Sequence, residues 1–187
     1  RLVKQSKEGI QAIDAVQKAT GAPKVTGKFA VSGVGTNNEI TKGPDGNVWV
    51  TLDNANDVAQ LTPKGKVKEF DATDIDNAVG IAPGPGGTLW VTQPGGVAVF
   101  DPADPDSATK YTINDITDPR PIVRGPDGNM WTVSGQNVIR IPVADPTQAD
   151  SFPVLDAGRD IDRGKDGNLW VADFGGQVVK IDTDGNA

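Results

Sequence analysis

The sequence of 187 residues contains no cysteine and no histidine. These absences exclude a disulfide framework, a zinc site with nitrogen or sulfur ligands, and catalysis by Ser-His-Asp or Cys-His groups. Aromatic residues are also few, with four Trp, five Phe and one Tyr. No window approaches 18 consecutive apolar residues, so no membrane span is predicted.

Positive charge is scarce, because 18 Lys and Arg residues face 25 Asp and Glu residues for a net charge of −7. An acidic chain lacks the basic surface that nucleic-acid binders use, so no nucleic-acid partner is expected. No signal-peptide pattern is visible. The absence of cysteine suits a reducing cytoplasm and a bacterial exported protein equally, and the compartment therefore stays open.

Glycine and proline are abundant, with 23 and 14 residues, and many of them belong to a repeated motif. The motif reads Gly-Pro-Asp-Gly-Asn-apolar-Trp with small variations, and its tryptophans follow one another at intervals of 41, 41 and 39 residues. A second aromatic residue precedes each tryptophan by 18 or 20 residues. A period of about 40 residues is typical of β-propeller blades. The four pairs are Phe29 and Trp49, Phe70 and Trp90, Tyr111 and Trp131, and Phe152 and Trp170.

Each repeat predicts four short strands. One precedes the motif, one carries the tryptophan, one follows a polar loop and one carries the second aromatic residue, while the motif itself forms a tight turn. We therefore predict an all-β propeller over residues 25–187, with four blades visible, as a closed four-bladed wheel or as part of a larger six- to seven-bladed one. The tryptophans are expected in the core between blades. The last repeat has no fourth strand of its own, and a strand near Phe29 is the candidate to close it.

Residues 1–24 precede the repeats and are predicted to form a short helix and a linker. Ile10, Ile13 and Val16 have roughly helical spacing, and Gly21 is a suitable stop. Such a helix would pack on the propeller or bind a partner.

The unit of short strand, Gly-Pro-Asp-Gly-Asn turn and Trp-Val-Thr strand resembles the streptogramin lyase family, the virginiamycin B lyase-like propellers. It is also similar to NHL-repeat and gluconolactonase-like propellers, as in the stretch from Asp166 to Asp173. The resemblance covers residues from about 25 to 187. It implies a seven-bladed enzyme that linearises a cyclic depsipeptide antibiotic at its ester by elimination, with Mg²⁺.

The same resemblance implies a catalytic histidine two residues before the isoleucine of a first strand. The chain departs from the family here, and elimination next to a carbonyl needs a positioned base. No catalytic residue is therefore assigned, and a lyase that is divergent or represented by a fragment stays an alternative. The residues at the histidine position are Asn38, Val79, Arg120 and Arg159. Where the family commonly has a glutamate at the end of the second strand, the chain has Leu52, Gln93, Ser134 and Asp173.

Propellers usually bind ligands at the mouth of their channel, and the loops that lead to it are rich in polar residues. Arg120 and Arg159 occupy equivalent positions in adjacent blades, which suggests a pair of cations for a carboxylate or phosphate. In the alternative interpretation, each arginine bonds a nearby aspartate or carbonyl. The candidate binding residues are Asn38, Glu39, Asn77, Arg120, Arg159, Asp160, Gln93, Asn137 and Asp173.

The leading hypothesis is a binding or scaffold propeller for a small anionic ligand, a peptide or a protein at the channel mouth. A lactonase-like hydrolase that depends on Mg²⁺ or Ca²⁺ is a further alternative, with Asp160, Asp173 and Asn137 as candidate ligands. Residues 101–106 and 182–186 resemble pieces of calcium loops but lack the spaced glutamate of an EF-hand, which favours turns. The fold alone cannot choose among these functions.

Overall fold

The computed structural model describes residues 27–31, 39–52 and 58–187. Within the compact unit Val31–Ala187, the described residues form four antiparallel sheets and one short 3₁₀ helix, Pro85–Gly87. In the other unit, Arg1–Ala30, the described residues 27–30 have no regular secondary structure. Among the described residues, no helix has the length and apolar character needed to cross a membrane.

Each sheet is one blade, and its strands pair with one another in sequence order. Blade 1 contains β1 (Ile40–Lys42), β2 (Val48–Thr51), β3 (Val58–Leu61) and β4 (Val67–Phe70). Blade 2 contains β5 (Ile81–Pro83), β6 (Leu89–Gln93), β7 (Gly96–Asp101) and β8 (Asp104–Thr112). Blade 3 contains β9 (Pro119–Arg124), β10 (Met130–Ser134), β11 (Asn137–Ile141) and β12 (Asp150–Pro153). Blade 4 contains β13 (Gly158–Arg163), β14 (Leu169–Asp173) and β15 (Gln177–Ile181).

The predicted all-β propeller is therefore confirmed, with four consecutive blades built from about 40-residue repeats. Blade 4 has three strands among the described residues. Residues 27–31 form no strand, and Phe29 is 53% exposed. The strand expected near Phe29 is thus absent from these residues, and closure of the last blade by the N-terminal segment stays a prediction. The predicted helix and the linker up to residue 24 lie outside the described residues.

The repeated motif forms a tight turn that seats the tryptophan. In blade 3, the backbone N–H of Gly125 donates to the carbonyl of Asn129 at 2.8 Å. A Cβ atom on Gly125 would overlap the indole ring of Trp131, so the first glycine of the motif gives the ring its space. Gly128 has a φ of 85°, a left-handed conformation that glycine adopts without strain. The glycines of the motif are therefore required by the turn and by the tryptophan together.

Side chains alternate along each strand, which gives every blade two faces. We call the face with the tryptophan the trailing face, because it packs on the next blade, and the opposite one the leading face. The trailing face of blade 1 contributes Trp49, whose ring lies 5.6 Å from that of Phe70 and 5.4 Å from that of Phe100 in blade 2. Trp90 and Trp131 are likewise buried in clusters shared with the following blade.

The core position predicted for the tryptophans is confirmed for these three but not for the fourth. Trp170 is 41% exposed, whereas Trp49 and Trp131 are fully buried. The reason is that Trp170 lies on the trailing face of blade 4, where no described residues form a further blade.

Threonine hydroxyls add polar contacts between blades. Thr51 Oγ1 in blade 1 donates to the carbonyl of Val79 at 2.7 Å, and Thr92 Oγ1 in blade 2 donates to the carbonyl of Arg120 at 2.8 Å. Both threonines are fully buried, so their hydroxyls need these partners. These bonds hold blade 1 to blade 2 and blade 2 to blade 3, in each case at or just before the start of the next blade's first strand.

Candidate functional site

The first strands of all four blades line one cavity of about 390 Å³. Its walls are apolar where Pro83 and Val123 contribute, and charged where Glu39, Arg124 and Arg163 contribute. A cavity of this size lies within the usual range for small-molecule sites. The polar groups that reach it come from three of the four blades, so the propeller arrangement itself assembles the site.

Glu39 precedes β1 and reaches the neighbouring blade. Its Oε2 accepts a hydrogen bond from the backbone N–H of Ile81 at 2.8 Å. Burial raises the pKa of the Glu39 carboxyl to about 7, the N–H of Ile81 opposes this rise, and the negative charge of Asp160 adds to it. Near neutral pH this carboxyl therefore exists in both protonation states, and it can donate or accept a hydrogen bond.

Two arginines bring positive charge to the cavity. Arg124 ends β9 and Arg163 ends β13, and each lies seven residues before the tryptophan of its blade. Arg124 Nε donates to the carbonyl of Gly128 at 3.3 Å. No described carboxylate forms an ion pair with either guanidinium. Planar guanidinium groups suit carboxylate and phosphate, so these residues provide a candidate anion site.

The predicted arginine pair is engaged locally instead. Arg120 Nη2 forms an ion pair with Asp118 Oδ2 at 2.5 Å, as the alternative interpretation expected for a nearby aspartate. The guanidinium of Arg159 lies over the ring of Phe174, 4.6 Å from its centre. Neither arginine lines the cavity. Anion binding by Arg120 and Arg159 stays a prediction, with local partners competing for both side chains.

Two other candidates, Gln93 and Asp173, hold loops in place. Gln93 is fully buried, its Oε1 accepts from the N–H of Asp76 at 2.9 Å, and its Nε2 donates to the carbonyl of Asp74 at 3.0 Å. The carboxylate of Asp173 accepts from the N–H groups of Ala157 at 2.7 Å and Asp156 at 3.1 Å.

The bond from Ala157 lowers the pKa of Asp173 below its ordinary value, so this side chain is a carboxylate at neutral pH. Ser134, at the equivalent position in blade 3, accepts from Thr117 and Asp118 in the same way. The end of the second strand therefore serves as the anchor for the loop that enters the blade.

The remaining candidates have varied surroundings. Asn77 has a φ of 51° and its Nδ2 donates to Asp76 Oδ1 at 2.7 Å. Asn137 begins β11 opposite Ser134, and Asp160 Oδ1 accepts from the N–H of Ile161 at 2.9 Å. Asn38 lies outside the described residues.

The described residues contain no group of three or more acidic side chains placed to hold a metal ion. In the candidate set Asp160, Asp173 and Asn137, both oxygens of Asp173 already accept backbone N–H groups. The turn interpretation of residues 182–186 is confirmed, because Asp182 Oδ1 accepts from the N–H groups of Asp184 and Asn186 at 2.9 Å. The geometry thus favours structural roles for these aspartates.

Of the predicted binding residues, Glu39 lines the cavity, while Arg124 and Arg163 were missed. A signal for them exists in the sequence. Lys42 stands at the same repeat position as both arginines, so three of the four repeats end their first strand with a cation. The histidine position implied by the family resemblance lies at the start of this strand, whereas Arg124 and Arg163 lie at its end.

Comparison with known proteins agrees with the propeller fold. The model of the Virginiamycin B lyase family matches residues 13–187. No curated protein sequence matches significantly. Among solved structures, a streptogramin B lyase is 24% identical with a TM-score of 0.69, over 78% of this chain and 51% of that one.

A catalytically inactive virginiamycin B lyase from Staphylococcus aureus, solved with quinupristin, is 25% identical with a TM-score of 0.74, over 87% of this chain and 59% of that one. A chain in a nidogen/laminin complex is 15% identical with a TM-score of 0.63, over 74% and 56%, which shows a shared fold. The chain spans between half and three fifths of the length of each of these proteins.

Proposed function

The chain belongs to the virginiamycin B lyase family, and within this family we propose that it is a binding propeller that holds a small amphipathic anion between its first strands. The observation that carries this proposal is the joint presence of Arg124, Arg163 and Glu39 in one cavity with an apolar wall. The arginines bind the carboxylate or phosphate of the ligand. Pro83 and Val123, which line the same cavity and are not buried, contact its apolar part.

Glu39 extends this recognition beyond charge. In its protonated form, the carboxyl donates a hydrogen bond to a neutral oxygen of the ligand, and in its ionised form it accepts from a hydroxyl or amide. A second negative charge close to Glu39 is disfavoured by Asp160, which already raises the pKa of this carboxyl. The preferred ligand thus carries its anionic group at the arginine end and a neutral polar group at the Glu39 end.

Calorimetric titration with hexanoate and hexyl phosphate, and with hexanamide as a neutral match, tests the proposal. We expect the anions to bind and hexanamide to bind about tenfold more weakly, because a hydrogen bond to a charged group contributes about 1.5–3 kcal/mol and a tenfold difference corresponds to about 1.4 kcal/mol. Arg124→Gln with Arg163→Gln should abolish this preference. Arg159→Gln, outside the cavity, is the matched control and should retain it. Equal affinity for hexanoate and hexanamide would exclude an anion site.

A second candidate function is elimination at a carbon–oxygen bond, and the raised pKa of the Glu39 carboxyl favours it. A carboxyl with a pKa of about 7 is suited to act as a general base at neutral pH, a task for which the chain has no histidine. Glu39 would take the proton next to a carbonyl while the ester carbon–oxygen bond breaks. Quinupristin is a suitable probe, since a relative was solved with it. Linear product that Glu39→Gln abolishes, with unchanged folding, would support this function, and absence of product would exclude it for quinupristin.

A further inference from the structure

The first strand of blade 2 turns a backbone donor toward the cavity. The carbonyl of Gly80 accepts from the N–H of Thr92 in the second strand at 3.0 Å. Because the carbonyl and the N–H of one trans peptide group point in opposite directions, the N–H of Ile81 points away from the second strand. It donates to Glu39 Oε2 at 2.8 Å. The backbone of Ile81 therefore contributes to the cavity although its side chain is buried.

The equivalent isoleucines of blades 3 and 4 have a similar arrangement. The N–H of Ile122 also bonds the Glu39 carboxyl and, like that of Ile81, opposes the rise in its pKa. The N–H of Ile161 donates to Asp160 Oδ1 at 2.9 Å. Three consecutive blades thus each direct one backbone N–H at a carboxyl group, and Glu39 accepts from two of them.

Two N–H groups that converge on one point attract an anion, because each carries a partial positive charge. Ile81 and Ile122 are 1% and 3% exposed, so their N–H groups need an acceptor within the protein. Glu39 brings this acceptor from the residue before β1, in a different blade from both donors. The positive charges of Arg124 and Arg163 in the same cavity favour an anion there as well.

We propose that the N–H groups of Ile81 and Ile122 form an anion subsite, and that Glu39 fills this subsite with a carboxylate of the chain itself. By filling it, Glu39 excludes a second anionic group of the ligand. Glu39 is then the residue that restricts the cavity to ligands with one anionic group. This effect on specificity rests on the proposed function, whereas the existence of the subsite does not.

The charges around Glu39 explain why the subsite holds one carboxylate and no more. Asp160 faces it from blade 4 and raises its pKa, while Arg124 and Arg163 contribute positive charge from the ends of their strands. With a pKa of about 7, even the built-in carboxyl is only partly ionised at neutral pH. A carboxylate added beside Glu39 is therefore disfavoured, whereas one that replaces Glu39 gains the two N–H groups.

A dicarboxylate of matching length should bind once the Glu39 side chain is removed. Arg124 lies two residues after Ile122 in β9, which corresponds to about 7 Å along a strand. Adipate has four methylene groups between its carboxylates and spans a distance of this order. One carboxylate of adipate would bind the arginines, and the other would bind the N–H groups of the subsite.

Acetate tests the subsite in the full chain, because it matches the end of the glutamate side chain. In Glu39→Ala, we expect acetate to shift the amide proton resonances of Ile81 and Ile122 in a saturable way. The unchanged chain should show no such shift because Glu39 fills the subsite, and in Glu39→Gln the amide oxygen should fill it too. Asp106→Ala, which removes a charge from an exposed position in β8, is the matched control and should behave like the unchanged chain.

Calorimetric titration with hexanoate and adipate tests the effect on specificity. We expect the unchanged chain to bind adipate about tenfold more weakly than hexanoate, because the second carboxylate of adipate meets Glu39. Glu39→Ala should reverse this order by about tenfold, since that carboxylate then gains hydrogen bonds from two N–H groups. Asp106→Ala should keep the order of the unchanged chain.

The two experiments separate the subsite from the proposed function. If acetate shifts neither resonance in Glu39→Ala, the subsite is wrong, whatever the affinity for hexanoate. If acetate shifts both resonances but the unchanged chain binds neither hexanoate nor adipate, the subsite is supported, and both the proposed function and the effect on specificity are wrong. Equal affinity of the unchanged chain for the two ligands would exclude Glu39 as the specificity-determining residue.

Circular dichroism checks that each variant is folded. If Glu39→Ala does not fold, Glu39→Ser takes its place in both experiments. The serine side chain ends two bonds before the carboxylate oxygens of glutamate, so it leaves the subsite open to acetate and adipate. The expected shifts and the expected reversal are the same as for Glu39→Ala.

Discussion

The indole N–H of Trp131 donates to Oδ1 of Asp127 at 3.0 Å, four residues earlier in the chain. The same carboxylate accepts from the backbone and side-chain N–H groups of Asn129. Equivalent bonds join Trp49 to Asp45 and Trp170 to Asp166. The aspartate of the repeated motif therefore closes the turn and satisfies the polar end of a core tryptophan.

Replacing this aspartate should destabilise the protein in proportion to the burial of its tryptophan. We expect Asp127→Ala to lower the free energy of unfolding by about 1–3 kcal/mol, because a buried indole N–H loses its acceptor. Asp127→Asn keeps an acceptor oxygen and should cost less. Urea unfolding followed by circular dichroism measures both.

Blade 4 supplies the control for this prediction. Asp166→Ala removes the same bond from Trp170, but water can replace the acceptor because this ring is 41% exposed. We expect a smaller loss than for Asp127→Ala. Equal losses in the two variants would mean that the turn, and not the buried indole, accounts for the effect.

The raised pKa of Glu39 should make stability depend on pH in a definite direction. The folded state holds the proton of Glu39 up to a pKa of about 7, whereas the unfolded chain releases it near 4.5. The folded state thus binds more protons between these values, and the free energy of unfolding should fall as the pH rises through this window, by up to about 3 kcal/mol, and then level off.

Glu39→Gln isolates this effect from the other carboxyls. The variant should lack this part of the pH dependence and be more stable than the unchanged chain at pH above 7. Asp160→Asn should lower the upper end of this pH window, because it removes the neighbouring negative charge that raises the pKa of Glu39 in the folded state. Parallel stability curves for the unchanged chain and Glu39→Gln between pH 4 and 8 would contradict a raised pKa.

Gln93 should prove to be a structural residue. Gln93→Leu removes its two hydrogen bonds and leaves the N–H of Asp76 and the carbonyl of Asp74 without their partner. We expect a loss of about 2 kcal/mol in the free energy of unfolding and faster amide exchange at Asp76. Gln148→Leu, at an exposed loop position, should change stability by less than about 0.5 kcal/mol.

Replacing the first glycine of the motif by a larger residue should destabilise the protein where the tryptophan of that blade is buried. We expect Gly84→Ala to cost about 3 kcal/mol or more, because its Cβ would overlap the indole of Trp90, which is 3% exposed. Gly164→Ala is the comparison, since the half-exposed Trp170 can shift outward. A thermal melt of both variants distinguishes the two cases, and similar melting temperatures would contradict the argument.

The sequence predicted the fold well because the repeat carries information at many positions at once. The spacing of Trp49, Trp90 and Trp131 indicated both the blades and the contacts between them, and the structure confirms each of these positions. Trp170 differs because burial depends on what packs against a face. A repeat can show that two residues are equivalent, but it cannot show that they have equivalent neighbours.

The local partners of the candidate binding residues were not predictable from the repeat, for the same reason. Arg120 and Arg159 are equivalent in the repeat, but Asp118 pairs with one and Phe174 underlies the other. Asp118 lies only two residues before Arg120, so an ion pair between the two side chains could be expected from the sequence. Glu39 was named as a binding residue, yet its raised pKa depends on burial across blades, which no local pattern reveals.

Each tryptophan of the first three blades packs on the blade that follows it, and this direction matters during synthesis. A ribosome releases the N-terminal blade first, so Trp49 emerges before Phe100, the residue that covers it. Each of these three blades thus spends the time needed to translate about 40 residues with an uncovered aromatic face. A chaperone that recognises exposed aromatic faces would therefore find a binding site on each of these blades in turn, always on the trailing face that the following blade later covers.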